Sequence, residues 1–371
     1  MKILILTMNI KGGMVHYISQ LSNALAEEND VAVIAPIGMD RSAFSEKVRL
    51  TELPLGDVIK NFIANTLIVT RPLKFIKAIR REKPDVIHIQ QSHIWWSFFL
   101  PYLSRYPLVC TIHDVHPHVG SRKFDQIIGQ KCIIHYSNQV IVHGESAKKD
   151  LLSKYSNLGG RCQVIPHGDY SFFLRYKTDV ITEKNTVLFF GRIEYYKGLE
   201  YLIDSIHIVS KAIPEIRLII AGQGDLSKYK CAIRENINLF EIHNEYIIDS
   251  EVAKFFQRAS LVVLPYIEGT QTGIIPIAYA FKKPVIVTDV GSIPEVVEHG
   301  KTGFVIRSRD SLALADAILQ LLKDESMRQN MGNEAYKKME SELSWKVIAQ
   351  KTVNVYACAI NRNCCVDSSV E

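Results

Sequence analysis

The chain has 371 residues, 47% apolar and 22% charged, with a formal net charge of +5. That length exceeds what one ordinary core organises and implies two domains, and the composition excludes a disordered chain. Its cysteines (Cys110, Cys132, Cys162, Cys231, Cys358, Cys364 and Cys365) form no CxxC pair and have no metal-type His spacing, so reduced thiols in the cytoplasm are expected.

The N-terminal MKILIL resembles the start of a signal sequence. Its apolar run stops at Thr7, however, and Asn9, Lys11 and two glycines follow without a small-residue cleavage site, so it reads as a buried strand. The strand-like runs of the first half are Ile3 to Thr7, Val31 to Ala35, Val86 to Ile89, Leu108 to Ile112 and Gln139 to Val142, with helical patterns such as Val15 to Glu28 between them. Over Pro72 to Glu82, helical spacing groups Leu73, Ile76 and Ile79 on one side and Lys74, Lys77 and Arg81 on another. The apolar segment Ile94 to Leu103 is about half a bilayer span and contains Pro101, which excludes a membrane-crossing helix there.

A polar stretch, roughly 169 to 185, interrupts the pattern. It restarts with Val187 to Phe190, Leu218 to Ala221, Tyr246 to Ile248, Leu261 to Leu264, Val285 to Thr288 and Phe304 to Ile306. Strands alternating with helices predict parallel sheets covered on both faces. The expected fold class is therefore α/β, with two doubly wound Rossmann-like domains facing a central cleft. Residues 1–175 form the first domain, 176–344 the second, and a closing helix from about 345 joins the first.

Charge divides unevenly along the chain. Residues 1–180 hold 22 Lys and Arg against 15 Asp and Glu, and the remainder holds 22 against 24. A basic first half suits an anionic partner. No basic run with interleaved aromatics and no helix-turn-helix or zinc signature is present, which argues against nucleic acid and leaves an anionic membrane surface as the candidate. An ordinary surface helix over Pro72 to Glu82 is the competing reading.

The loops discriminate among the activities this architecture admits. The first strand leads into NIKGGMVHY rather than GxGxxG, which weakens a dinucleotide-binding reading, and no GxSxG elbow supports a hydrolase. GRIEYYKG at 191–198 places Arg192 and Lys197 between a buried strand and a helix, where free amides and the positive helix end suit an anion. Two fixed cations there suit more charge than one carboxylate carries. His113, His116 and His118 crowd one segment, but Pro117 interrupts it and no carboxylate pair completes a metal site.

Gly12 and Gly13, TIHD at 111–114, GRIEYYKG, LPYIEGTQTG at 264–273 and KPVIVTDVGSIPEVVEHGKTGFVI at 283–306 occur in one order. Together they resemble the family-4 retaining glycosyltransferases of the GT-B fold, most strongly from 186 to 306. The resemblance implies that Arg192 and Lys197 bind the diphosphate of a nucleotide-sugar donor in place of a metal. It also implies that His113 contacts the donor sugar, with Asp114 fixing its tautomer or capping a helix. Gly12, Gly13 and Gly191 would let backbone approach the donor. No metal and no cofactor is expected, the nucleotide-sugar being a substrate.

The chain departs from the family at two glutamates eight positions apart. Ungapped counting puts their slots at Gly269 and Ile277, and Glu268 stands one residue before the first. Glu268 is accordingly expected to reach the sugar, and Thr272, Gly273 and Ile274 to meet the diphosphate through backbone amides. The implied function is transfer of a sugar to a glycan or lipid-linked glycan in cell-surface polysaccharide assembly, in the cytoplasm or at the inner membrane face. The alternatives are a non-catalytic nucleotide-sugar-binding partner subunit and a sugar phosphorylase of similar fold.

Overall fold

The computed structural model describes residues 1–10, 12–55, 70–115 and 123–361. Two compact units divide the chain: Met1–Gly168 with Trp345–Glu371, and Asp169–Ser344. The first contains β1 (Lys2–Leu6), β2 (Asp30–Pro36), β3 (Arg49–Leu53), β4 (Val86–Ile89), β5 (Leu108–Thr111), β6 (Gln139–Val142) and β7 (Cys162–Val164). They form one parallel sheet in the order β3-β2-β1-β4-β5-β6-β7. The second unit contains β8 (Thr186–Phe190), β9 (Arg217–Ala221), β10 (Phe240–His243), β11 (Leu261–Leu264), β12 (Val285–Thr288) and β13 (Gly303–Ile306), ordered β10-β9-β8-β11-β12-β13.

Strand periodicity explains why both sheets are buried on both faces. Successive side chains of β1 point to opposite sides, and from Ile3 to Leu6 all are apolar. Ile3 and Ile5 join Val15, Tyr17, Trp345 and Ile348 on one face, whereas Leu4 and Leu6 join Phe75, Trp95 and Trp96 on the other. β8 repeats the arrangement, with Val187 and Phe189 in one cluster and Leu188 and Phe190 in the second. The closing helix Trp345–Asn361 packs on the helix Gly13–Leu25 in the first unit.

Three local expectations need correction. Tyr246 to Ile248 is not a strand: Tyr246 and Ile248 are exposed, and the sheet instead takes Phe240–His243, an edge strand whose partly exposed face carries Glu241 and His243. The edge strands β3 and β7 are not visible as apolar runs, because an edge strand buries less of its surface. On the helix Thr70–Glu82 the buried residues are Phe75 and Ile79, one turn apart, while Leu73 is 58% exposed. Leu73 therefore shares the outer surface with Lys74 and Lys77. Ile94 to Leu103 forms two short helices, Ile94–Ser97 and Leu100–Leu103, that bury Trp95, Trp96, Leu100 and Leu103. Among the described residues no helix is long and apolar enough to cross a membrane.

Candidate functional site

In a doubly wound sheet the crevice outside the strand carboxyl ends, where strand order reverses, is the natural ligand position. In the second unit that point lies between β8 and β11, which are paired neighbours. The loop 191–198 leaves β8, and the loop 265–273 leaves β11. Gly191 has φ 107°, and a β-carbon there would stand 2.8 Å from the Lys197 Nζ, so a side chain at 191 would displace the ammonium. Gly198 (φ 64°) follows the short 3-10 turn Tyr195–Lys197, and a β-carbon on it would collide with the Pro265 carbonyl oxygen. The Ile267 amide donates to the Tyr196 carbonyl at 2.8 Å, which ties the two loops together.

This close approach leaves Lys197 only 7% exposed. Its Nζ stands 5.1 Å from the Tyr266 ring centroid, a cation–π contact worth on the order of 1 kcal/mol. Among the described residues no carboxylate lies within ion-pair distance of it. A buried cation held by an aromatic face, without a neutralising anion, is arranged to receive one. Tyr266 is itself fixed: Thr288 Oγ1 donates to its carbonyl at 2.5 Å, and its hydroxyl lies 3.3 Å from Thr272 Oγ1. Thr272 Oγ1 in turn accepts from the Ile274 amide at 3.2 Å, and the Ile274 Cδ1 stands 3.8 Å from where a Gly191 β-carbon would be. The structure thus brings Gly191, Lys197, Thr272 and Ile274 together, with the Thr272 side chain holding the Ile274 amide.

Arg192 and Glu268 are placed differently. The Arg192 side chain is 68% exposed and lies 3.6 Å from Glu194 Oε1, a solvated pair of small energetic weight. Glu268 is exposed at the loop crest. Of the two slots where the family carries glutamates, Gly269 has φ 147°, a conformation suited to glycine, and Ile277 is 4% exposed within the core. Gly273 opens the helix Ile274–Ala280 and is packed so that a β-carbon would press on the buried Tyr170 ring.

In the first unit Gly12 (φ 76°) precedes the helix Gly13–Leu25, with Gly13 exposed at its first position. His113 follows β5 and is 9% exposed. Its Nδ1 lies 2.9 Å from His143 Nε2, and His143 Nδ1 lies 2.9 Å from the Ile165 carbonyl. His143 Nε2 thus pairs with the His113 ring nitrogen. The Tyr17 ring packs edge-on against His113, His143 and His167. Burial holds His143 down to about 4, and burial together with the neighbouring imidazoles holds His113 well below the usual histidine range. His88 is fully buried between the Tyr356 hydroxyl (2.7 Å) and Thr111 Oγ1 (2.8 Å), and burial lowers it to about 3. It is a structural residue. His116 and His118 lie outside the described residues, as do Cys364 and Cys365. Among the described residues no group of three or more His, Cys, Asp or Glu side chains is placed to hold a metal ion.

Sequence profiles match the two units separately: Glycosyltransferase Family 4 over residues 11–168, and Glycosyl transferases group 1 over residues 172–338. The chain belongs to the family-4 glycosyltransferases of the GT-B fold. Among curated relatives, a D-inositol 3-phosphate glycosyltransferase of Pseudarthrobacter chlorophenolicus is 25% identical, covering 95% of this chain and 91% of the relative. Among solved structures, the sucrose-phosphate synthase of Thermosynechococcus elongatus aligns with a TM-score of 0.76 at 20% identity, covering 96% of this chain and 98% of that one. Anabaena HepE in complex with UDP aligns with a TM-score of 0.71 at 17% identity, covering 96% and 100%. The glycosyltransferase thus consists of two Rossmann-like domains with parallel sheets.

Two residues of this glycosyltransferase escape a reading of the sequence. Tyr266 stands inside LPYIEGTQTG, but only the fold shows its ring beside the Lys197 ammonium. His143 sits immediately after β6, and a histidine at the carboxyl end of a buried strand is the available signal.

Proposed function

We propose that the protein transfers a sugar, with retention of anomeric configuration and without a metal, from a nucleoside-diphosphate donor to a glycan or lipid-linked glycan. The observation that carries this reading is the buried Lys197, held against Gly191 and the Tyr266 ring with no carboxylate among the described residues to neutralise it. Breaking the anomeric C–O bond leaves added negative charge on the diphosphate. A cation fixed beforehand in a low-dielectric recess stabilises that charge most strongly in the transition state. Arg192, exposed and solvated, supplies the second charge on closing over the diphosphate. In the second unit Thr272, Gly273 and Ile274 offer backbone to the donor, the Ile274 amide becoming available once the Thr272 hydroxyl turns to the ligand, and Glu268 reaches the sugar through its shifted position. In the first unit Gly12, Gly13 and His113 are the residues assigned to the donor. The UDP-bound neighbour supports a uridine nucleotide as the first donor to try.

The acceptor reading rests on the basic first half of the chain and on the helix Thr70–Glu82, where exposed Leu73 lies among Lys74, Lys77 and Arg81. That surface suits the anionic inner face of a cell membrane and a lipid-linked acceptor in cell-surface polysaccharide assembly.

The test is donor turnover by Lys197→Ala and Arg192→Ala, measured with membrane extract as the acceptor source. Removing one such charge lowers the rate by about two to three powers of ten. Near-normal turnover in both variants overturns the reading. Donor binding without turnover in the wild type, with or without extract, instead favours a non-catalytic partner subunit.

A further inference from the structure

Lys197 is buried, and among the described residues its ammonium makes neither an ion pair nor a hydrogen bond. Taking a charge out of water without a partner is costly, so its surroundings must compensate. The contact the structure supplies is the face of Tyr266, whose ring centroid lies 5.1 Å from Nζ. An aromatic ring attracts a cation through its quadrupole and carries no net charge. A carboxylate in that place would also hold the ammonium, but it would neutralise it and compete with an incoming anion. The ring instead anchors the cation and leaves its whole charge for a ligand. Space beside the ammonium is kept open by Gly191, where a β-carbon would stand 2.8 Å from Nζ.

The ring is itself fixed on several sides. Tyr266 is fully buried, its carbonyl accepts from Thr288 Oγ1 at 2.5 Å, and its hydroxyl lies 3.3 Å from Thr272 Oγ1. Tyr196 packs edge-on against it with ring centroids 6.1 Å apart, and the Tyr196 carbonyl accepts from the Ile267 amide at 2.8 Å. The loop after β11 thus sets where the ring stands, and the loop after β8 brings the lysine to it. A cation already in place does not have to be recruited from solvent when an anion binds, which lowers the cost of binding.

We propose that Tyr266 is a positioning residue whose ring face holds the Lys197 ammonium, un-neutralised, where the donor diphosphate is received. The inference rests on the reading of Lys197 as the cation that binds the diphosphate. Without the ring the ammonium relaxes toward water, and every binding event must draw it back.

The experiment is calorimetric titration of the full chain with whichever of UDP, GDP and ADP the wild type binds most tightly. The variants are Tyr266→Phe, its versions carrying one, two or three ring fluorines, and Tyr266→Leu. Fluorine draws electron density from the ring face and weakens its hold on a cation while nearly preserving size. Affinity is expected to fall with each fluorine, and to be about five-fold lower for Tyr266→Leu than for Tyr266→Phe. In the Lys197→Met background, where no ammonium remains, the same series is expected to be level. Circular dichroism verifies folding, and the fluorinated series decides the matter even if Tyr266→Leu does not fold. Equal affinity across that series overturns the inference, as does a slope that persists in Lys197→Met. Failure of the wild type to bind any of the three nucleotides overturns it as well. A wild type that binds nucleotide but transfers no sugar would sink the transferase reading and leave the fluorine series standing, so the two are separable.

Discussion

The first unit should lose stability between pH 7 and pH 5, well before the second. His88, His113 and His143 are buried, with His88 held at about 3, His143 at about 4 and His113 well below its usual value, all chiefly by burial. In the unfolded chain each titrates near the ordinary value of about 6.5. The unfolded state therefore binds more protons below that pH, and stability is lost as the pH falls from about 6.5 toward the folded-state values. Each histidine that stays neutral in the fold contributes a loss of about 2 kcal/mol between pH 7 and pH 5, on the order of 6 kcal/mol for the three. That is comparable with the whole stability of a typical domain, roughly 5–15 kcal/mol. His167 is likewise held at about 3, chiefly by burial and then by His143, but its partial exposure beside Tyr17 screens it, so its share is the smaller one.

The second unit has a different window. Its shifted acids, Glu241 beside Arg258 and Glu298 beside Lys301 and Lys338, are both held at about 2, so their contribution is lost only below the ordinary carboxylate range. All three tryptophans, Trp95, Trp96 and Trp345, belong to the first unit. Urea unfolding followed by tryptophan fluorescence therefore reads that unit alone. The fluorescence midpoint should fall steeply from pH 7 to pH 5, and His88→Gln should reduce the pH slope by roughly a quarter to a third. Equal midpoints at pH 7 and pH 5 would refute the reasoning.

Gly198→Ala should destabilise the second unit by about 2 kcal/mol or more, through the positive φ and the collision with the Pro265 carbonyl; calorimetry would detect it as a lowered transition. Glu268→Gln keeps size and removes charge, so turnover should drop while UDP affinity by calorimetric titration stays nearly intact; wild-type turnover would make Glu268 a surface residue. Vesicle sedimentation should require acidic lipid and weaken with added salt if Lys74, Lys77 and Arg81 face the membrane, and Leu73→Asp should reduce it further; equal binding to neutral vesicles would remove the electrostatic account.

Patterns that repeat within a few residues determined much of this protein by themselves. Doubly apolar strands such as Ile3 to Leu6 and Val187 to Phe190 can be stable only when both faces are covered, so their alternation with helices dictated two parallel α/β sheets. The loops that carry chemistry were legible for the same reason. They sit at fixed offsets after those strands, as Arg192 and Lys197 do after β8 and His113 after β5. Edge strands were not legible, since β10 is only partly covered, with Ile242 exposed, and lacks the apolar run that marks a central strand. Only tertiary structure decided which residues touch across large sequence separations. Lys197 meets Tyr266 because two loops converge beyond adjacent strands, and His113 meets His143 because β5 and β6 pair in register. Burial of Lys197, the exposure of Arg192 and the contacts that link Ile165, His143 and His113 all depend on such approaches. Charge and hydrogen-bonding behaviour follow the surroundings of a group, which local sequence does not specify.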